Sequence, residues 1–497
     1  MAASRTRGIG SALSVGLLAA LLGSAFSWRP SYWYDEAATV FASQRRLPDL
    51  WRLLDHQDAV HGLYYLGMHL WFRLVGESEF TARLPSAIAV GAAAAGVVVL
   101  GRELANPRVG LLAGLAFAIL PRVTWAAVEV RSFAATTTAA VWLTVAMLVA
   151  VRRGRWWWLL YAVGVALSLL LFLDLAALVA AHGVTVALIA RRASIMWAVA
   201  ALGGAIVALP AVRLITSQSG QVAWIPPLDR HFVRALAEYQ WFVGAPLFAL
   251  SAAILLVGAV YVARSVRSDL VAVALPWALV PTALIACYSL FVEPIYLDRY
   301  LTFTAPAVAL LLGSAIAVLA RARWVAPAVL AVLVATAAPA YVAQRGEWSK
   351  PSQMDFSAVL RFFEEHGEPG DCVLFANRVD WNPTSARVPL NIRPAAFAGL
   401  RDPGAGRSAT ANGWLWDENL PVALVRLDDC DVVWFVGDGE RESASTVRHT
   451  SNEVWHLDPY HFESSADGRL LAAAGFVVDE RWQLHVSQVV RLTRAVP

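Results

Sequence analysis

The chain has 497 residues, of which 58% are hydrophobic and only 15% carry a charge. This composition excludes an ordinary soluble globular protein and indicates a polytopic membrane protein. The formal net charge is only +3, and no block of lysine and arginine stands clear of the apolar segments, so we expect no nucleic-acid partner.

The first apolar segment, residues 8–26, follows Arg5 and Arg7. About 20 apolar residues, rising about 1.5 Å each in a helix, cross the roughly 30 Å of hydrocarbon in a bilayer. A cleaved signal peptide would look similar. Residues 24–28 offer no convincing cleavage site, so we predict a retained helix whose N-terminus is cytoplasmic.

Ten further apolar segments follow, and the turns between them that are predicted to be cytoplasmic carry arginine. The positive-inside rule therefore predicts about eleven transmembrane helices in a cytoplasmic (inner) membrane, with the C-terminus outside. The ten segments are residues 79–100, 109–124, 133–151, 159–173, 175–190, 197–212, 242–262, 270–290, 302–319 and 325–341.

The loops predicted to lie outside collect acidic, basic and aromatic residues. The first contains Trp33-Tyr34-Asp35-Glu36-Ala37, with two adjacent carboxylates. Because isolated charges in hydrocarbon are costly, charges at several helix ends on one side predict one polar cavity on that face. Further candidates in these loops are Asp58, His61, Tyr65, Glu129, Arg131, Asp174, Tyr296, Arg299 and Tyr300.

The composition changes after the last apolar segment, and we predict two domains, residues 1–343 in the membrane and residues 344–497 as a soluble domain outside it. Helical spacing at 356–366 and 466–474 alternates with apolar strands at 372–376, 431–436, 476–478 and 486–492, which predicts a small α/β fold. Cys372 and Cys430 open two of these strands. A disulfide and two separate buried thiols both remain open.

Several short motifs occur in order along the membrane part, at residues 33–37, 58–61, 64–65, 68–71, 83–86, 129–133 and 294–301. Together they resemble the GT-C glycosyltransferase superfamily, of the type that includes protein O-mannosyltransferases and the aminoarabinose transferase acting on lipid A. The resemblance extends to actinobacterial envelope mannosyl- and arabinosyltransferases, and the high alanine, valine and arginine content is typical of a GC-rich genome.

The resemblance implies an inverting enzyme that moves a sugar from a polyprenyl-phosphate carrier to an envelope glycan, lipid or protein outside the membrane. Mannose is the first expectation and arabinofuranose the alternative. Asp35 is the expected general base for the acceptor hydroxyl, a role worth typically about 10² to 10⁴ in rate. Glu36 would orient it, bind the acceptor or share a divalent ion with it, although no metal is required.

The carrier phosphate needs cationic partners, and Arg131 and Arg299 are the candidates outside the membrane. Tyr296 and Tyr300 would flank the carrier. The acceptor or the sugar would contact Asp58, His61, Tyr65 and Glu129. A solvated loop or a helix cap is the alternative for the acidic pair, and a metal-ligand role is the alternative for His56 and His61.

Two other classes of protein stay open on the sequence alone. A transporter or flippase of lipid-linked sugars also has many helices, although it should show broken helices near the midplane and an internal repeat. An assembly protein that is merely anchored would not need eleven helices. The polar loop at 216–239 lies next to the predicted cavity and is a candidate for closing over substrate.

Overall fold

The computed structural model describes residues 2–230, 232–262, 269–448 and 454–495. The chain divides into two compact units. Unit 1 comprises Met1–Ser27, Asp58–Gly67 and Phe80–Arg345, and unit 2 comprises Trp28–Gln57, Met68–Glu79 and Gly346–Pro497. The motif at residues 33–37 therefore belongs to the same unit as the C-terminal segment, whereas residues 58–67 of the same predicted loop belong to unit 1.

Helices make up most of unit 1 and part of unit 2. In chain order they are α1 (Ala2–Ser24), α2 (Tyr34–Gln44), α3 (Leu47–His56), α4 (Gly62–Val75), α5 (Glu79–Leu104), α6 (Pro107–Ile119), α7 (Pro121–Ala126), α8 (Phe133–Arg153), α9 (Trp156–Leu171), α10 (Leu175–Ile189), α11 (Ser194–Ser217), α12 (Phe232–Tyr239), α13 (Ala245–Val262), α14 (Asp269–Phe291), α15 (Ala305–Leu319), α16 (Val325–Ala343), α17 (Phe356–His366), α18 (Val388–Ile392), α19 (Ala409–Asn412) and α20 (Ala466–Ala473).

The described residues contain six helices that are long and apolar enough to cross a membrane, on α5, α8, α11, α14, α15 and α16. Five shorter apolar helices lie on α1, α6, α9, α10 and α13. These eleven helices coincide with the eleven predicted segments, and large apolar side chains such as Leu17, Leu202 and Val207 are exposed on them. The prediction of a polytopic helical membrane protein is confirmed. Its orientation stays a prediction, and Arg264 and Arg267, two of its markers, lie outside the described residues.

One predicted segment is interrupted. The sequence predicts a single helix over 109–124, but α6 ends at Ile119 and α7 begins at Pro121. Proline has no N–H to donate to the preceding turn, and it is well accommodated as the first residue of a new helix. This break shortens α6 and starts a separate short helix.

Small residues allow the helices of unit 1 to approach closely. A Cβ added to Gly110 on α6 would meet the carbonyl oxygen of Val98 at 2.4 Å. One added to Gly313 on α15 would meet the backbone nitrogen of Ala113 at the same distance. Close packing of this kind stabilises contacts between helices in a membrane, because lipid tails are as apolar as the side chains and the hydrophobic effect does not drive the helices together.

Unit 2 contains the predicted strands. They are β1 (Cys372–Phe375), β2 (Val432–Asp438), β5 (Phe476–Gln483) and β6 (Ser487–Arg494), and they form one sheet in the order β1-β2-β6-β5. The β1 and β2 strands are parallel, whereas β6 is antiparallel to both β2 and β5. A second, two-stranded sheet that the sequence did not predict pairs β3 (Ser445–Arg448) with β4 (Val454–Leu457).

The core of unit 2 lies between this sheet and α17, whose bounds match the predicted helix. All four residues of β1 are buried, which explains its continuous apolar sequence. Phe362 packs edge-on against Trp434 of β2. Cys372 and Cys430 form a disulfide, and their Cα atoms are 5.9 Å apart. The two cysteines are therefore not separate buried thiols, which was the other possibility left open by the sequence.

Candidate functional site

The two predicted catalytic carboxylates lie in unit 2, in the first turn of α2. Acidic side chains are favoured there because the first turn exposes unpaired backbone N–H groups and the positive end of the helix dipole. The environments of the two differ. Asp35 is half-buried, whereas Glu36 is fully buried.

Glu36 forms an ion pair inside unit 2. Its Oε1 lies 3.4 Å from Nζ of Lys350, and the two side chains are 0% and 2% exposed. Lys350 was not predicted from the sequence, because it lies in a loop after the last apolar segment with no motif around it. The pair separates the roles of the two carboxylates, with Glu36 bound to a buried cation and Asp35 partly accessible.

Aromatic side chains hold the rest of the motif. The indole N–H of Trp416 donates to the hydroxyl of Tyr34 at 2.9 Å. The Trp416 ring also stacks on Phe41 with a centroid distance of 5.6 Å and an interplanar angle of 1°. Arg45 at the end of α2 donates to the carbonyls of Trp414 and Leu415. Both ends of α2 are therefore fixed to the 414–416 segment of unit 2.

Unit 1 brings two of the other predicted residues into direct contact. Nη2 of Arg131 donates to Nε2 of His61 across 2.7 Å, and both side chains are buried. Since Nε2 accepts, we assign the imidazole proton to Nδ1, which has no hydrogen-bond partner among the described residues. Burial, and then the Arg131 guanidinium, hold the pKa of His61 well below its usual 6.5. His61 is thus a neutral donor.

A second contact of this kind joins Asp58 and Tyr65, because the tyrosine hydroxyl donates to Oδ2 of the aspartate at 2.9 Å. The rings of Tyr65 and His61 are 5.7 Å apart. The polar loop at 216–239 reaches the same place. The side-chain oxygens of Gln218 and Gln221 accept from the backbone N–H groups of Ala59 and Asp58. Four predicted residues and the loop thus form one cluster, which we call the His61 cluster (Asp58, His61, Tyr65, Arg131, Gln218 and Gln221).

Arg299 and Tyr300 lie in a short 3-10 helix, Asp298–Thr304. The Arg299 guanidinium is 5.7 Å from the ring centres of both Trp224 and Tyr300. Tyr300 stacks on Phe133, which opens α8 two residues after Arg131. Trp224 belongs to the same loop as Gln218 and Gln221. These contacts join Arg299 and Tyr300 to the elements of the His61 cluster.

Tyr296 is in the interior of unit 1. It is 1% exposed, donates to Oε1 of Gln240 at 3.0 Å, and packs edge-on against Phe232. Two residues further on, Asp298 forms a buried ion pair with Arg122 at 2.6 Å. The predicted role of Tyr296 beside the carrier stays a prediction. Arg122 was not predicted, since it follows Pro121 inside an apolar segment.

Glu129 is fully buried, and its carbonyl oxygen accepts from the Ser86 hydroxyl at 2.6 Å. Asp174 is half-buried directly before α10. In the part of the chain that the structure describes, no group of three or more His, Cys, Asp or Glu side chains could hold a metal ion. We assign no residue to a metal.

The family of dolichyl-phosphate-mannose-protein mannosyltransferases has a sequence model that matches residues 63–215. This segment is about a third of the chain and includes Tyr65, Glu129 and Arg131. A comparison with curated protein sequences gives no match.

Solved structures match over much more of the chain. ArnT from Cupriavidus metallidurans in the apo state is 14% identical, with a TM-score of 0.60 and coverage of 98% of both chains. The same protein bound to undecaprenyl phosphate gives a TM-score of 0.54 at 14% identity, covering 97% of each chain. The Archaeoglobus fulgidus oligosaccharyltransferase tethered with an acceptor peptide gives 0.51 at 12% identity, covering 86% of this chain and 69% of that one. These likenesses show a shared fold, and the predicted fold class is confirmed.

Proposed function

We infer that this chain, a glycosyltransferase of the GT-C superfamily, moves a sugar from a polyprenyl-phosphate carrier to an acceptor hydroxyl of the cell envelope. The observation that carries the proposal is a set of cationic and aromatic contacts in unit 1. Arg131 binds neutral His61, and Arg299 lies beside Tyr300 and Trp224. The stacking of Tyr300 on Phe133, two residues after Arg131, links the two groups of residues. Such a set of donors suits a phosphate attached to a lipid. ArnT, which shares the fold, has been solved with undecaprenyl phosphate bound.

Asp35 is the proposed general base. The acceptor oxygen forms a bond to the anomeric carbon while its proton passes to the Asp35 carboxylate. The bond between that carbon and the carrier phosphate breaks on the opposite face, so the configuration inverts. The electron pair leaves with polyprenyl phosphate. Half-burial of Asp35 supports this role, because the carboxylate has to be reached by an acceptor.

The leaving phosphate gains negative charge, and the proposed stabilising groups are Arg131 and Arg299. A guanidinium offers two parallel N–H donors to a phosphate, which gives charge-assisted hydrogen bonds of roughly twice the strength of neutral ones. The Nδ1–H of His61 would add a third, neutral donor. Tyr300 lies against Phe133 and Phe172, an apolar setting that suits the first isoprene unit of a carrier.

Mannose is the proposed sugar, and arabinofuranose is the alternative. The family whose model matches residues 63–215 is named for transfer of mannose from dolichyl phosphate to protein, which supports the first choice. Asp58, Tyr65 and Glu129 are the proposed contacts to the sugar or the acceptor. The acceptor is proposed as an envelope glycan, lipid or protein.

The Cys372–Cys430 disulfide supports an extracytoplasmic location of unit 2, since disulfides persist in oxidising compartments. With the arginine-rich turns of the sequence, this leads us to propose an inner-membrane protein with a cytoplasmic N-terminus and an external active site. A cysteine placed near Arg153 should then resist an impermeant thiol reagent in intact cells, whereas one near Gln218 should react.

The decisive experiment measures release of polyprenyl phosphate by the purified protein in lipid. Decaprenyl-phosphate mannose and decaprenyl-phosphate arabinofuranose are offered separately, with an envelope-glycan fraction as acceptor. We expect turnover of the mannose donor, a loss of about 100-fold or more in Asp35→Asn, and retention in Asp55→Asn, an exposed acid on α3. Equal turnover by wild type and Asp35→Asn would remove Asp35 as the base, and no turnover of either donor would contradict the proposed function.

A further inference from the structure

We propose that Lys350 is a positioning residue for Asp35 and that it acts through the buried ion pair with Glu36. The inference rests on the proposed function, because Asp35 is the base proposed there. Lys350 and Glu36 are 2% and 0% exposed, and their charged atoms are 3.4 Å apart. Glu36 directly follows Asp35 in the first turn of α2.

A buried ion pair usually adds little net stability to a fold. Both charges lose their hydration, and a well-packed apolar pair of similar size often stabilises a fold equally well or better. A pair fixes orientation, however, because the charged atoms must meet at a defined distance. Successive residues on a helix are about 100° apart around its axis, so fixing Glu36 also fixes the direction in which Asp35 points.

The loop that carries Lys350 is itself held rigidly within unit 2. Ser352 and Gln353 have φ angles of 51° and 57°, a left-handed conformation that residues other than glycine rarely adopt. Such conformations persist only where the surroundings determine them. Here the Ser352 hydroxyl donates to the carbonyl of buried Trp381 at 2.7 Å.

Just beyond, Oδ2 of Asp355 accepts from the backbone N–H groups of Val486 and Ser487 and from the Ser487 hydroxyl, at 2.9 to 3.0 Å. These bonds fasten the loop to the start of β6.

The same loop holds the other neighbour of Asp35. The backbone N–H of Tyr34 donates to Sδ of Met354 at 3.1 Å. The residues on both sides of Asp35, Tyr34 and Glu36, are therefore bound to a single rigid segment, 350–354. This arrangement fixes the backbone at Asp35 from two directions while the Asp35 side chain stays half-buried.

The test compares Lys350→Met, Lys350→Arg and Arg441→Met at equal amounts of folded protein. Arg441 is the matched control, because it also forms ion pairs with carboxylates of unit 2, Asp438 and Asp380, at the end of β2. In Lys350→Met we expect kcat to fall about 100-fold, the effect of a misplacement of about 1 Å, while the donor KM changes less than about 3-fold. Lys350→Arg should recover most of the rate, and Arg441→Met should lose stability but not kcat.

The double variant Glu36→Gln/Lys350→Met separates positioning from stability. Removing both charges should restore the thermal stability that Lys350→Met loses, but it should leave kcat low. Wild-type kcat in Lys350→Met, or in the double variant, would overturn the proposal.

Hydrogen exchange tests the inference independently of any activity. In Lys350→Met, the amides of the first turn of α2 should exchange at least about 10-fold faster, whereas those of β2 should not change. Unchanged exchange in α2 would overturn the positioning role. If the wild-type protein transfers no sugar, the proposed function fails while this measurement still decides whether Lys350 holds the turn.

Discussion

Arg131 donates a hydrogen bond to Nε2 of His61 across 2.7 Å, and the two residues are 70 positions apart in the chain. Burial, and then the Arg131 guanidinium, lower the pKa of His61 and keep the imidazole neutral, which leaves its Nδ1–H as a buried donor. The buried hydrogen bond to Arg131 occupies the Nε2 atom of His61, one of the two nitrogens that could bind a metal.

Two conservative variants of His61 should therefore have different effects. The amide oxygen of His61→Gln can still accept from Arg131, but the variant has no donor at the Nδ1 position. For His61→Gln we expect near-normal thermal stability and a KM for the sugar-phosphate substrate that is raised about 10-fold, which corresponds to the loss of one hydrogen bond to a charged group. His61→Asn has the opposite properties, because its amide N–H can replace the Nδ1 donor but its side chain offers Arg131 no acceptor. We expect this variant to lose stability. Equal KM values in wild type and His61→Gln would contradict the assignment of the Nδ1 donor.

Arg299 should not be replaceable by lysine. Its guanidinium is 5.7 Å from the ring centres of Trp224 and Tyr300, and a lysine ammonium offers neither the planar stacking nor the paired donors. We expect Arg299→Lys to raise the donor KM about 10-fold or more in the polyprenyl-phosphate release assay. Arg234→Lys on α12 is the control, since the Arg234 side chain is 71% exposed. A normal KM in Arg299→Lys would show that another group binds the phosphate.

The disulfide should stabilise unit 2 strongly. Cys372 and Cys430 are 58 residues apart, and closing a loop of that length removes about 4 kcal/mol of chain entropy from the unfolded state. We expect the double variant Cys372→Ala/Cys430→Ala to unfold at a clearly lower temperature. Wild type treated with reductant should approach the variant, and reductant should not affect the variant itself. A wild-type protein as stable as the variant would contradict this expectation.

The stability of unit 2 should depend on Asp438. Burial raises the pKa of Asp438 to about 6, although Arg441 acts in the opposite direction. At this group, the folded state therefore binds more protons than the unfolded chain between about pH 4 and about pH 6. The free energy of unfolding consequently falls as the pH rises through that range. The total decrease due to Asp438 is at most about 3 kcal/mol.

Thermal unfolding of wild type and Asp438→Asn at several pH values measures this effect. The asparagine does not titrate, so the variant should lack the part of the pH dependence that lies between about pH 4 and about pH 6. Parallel curves for the two proteins would mean that Asp438 has an ordinary pKa in the folded state.

The sequence by itself determined the eleven apolar helices, the four strands of the larger sheet of unit 2 and the bounds of α17. Each of these depends on the length or the period of an apolar segment, which is a local property of the chain. The GT-C resemblance followed from short motifs in a fixed order, whereas the catalytic role of Asp35 and Glu36 stays a prediction.

Only the tertiary structure decided what those residues contact. Glu36 follows the first apolar helix and Lys350 follows the last one, and nothing local to Lys350 indicates a buried ion pair. Arg122 was hidden in the same way by its apolar neighbours, although it pairs with Asp298. The physical reason is that a buried charge needs an opposite charge close to it in space, and the fold can supply that partner from any position in the sequence.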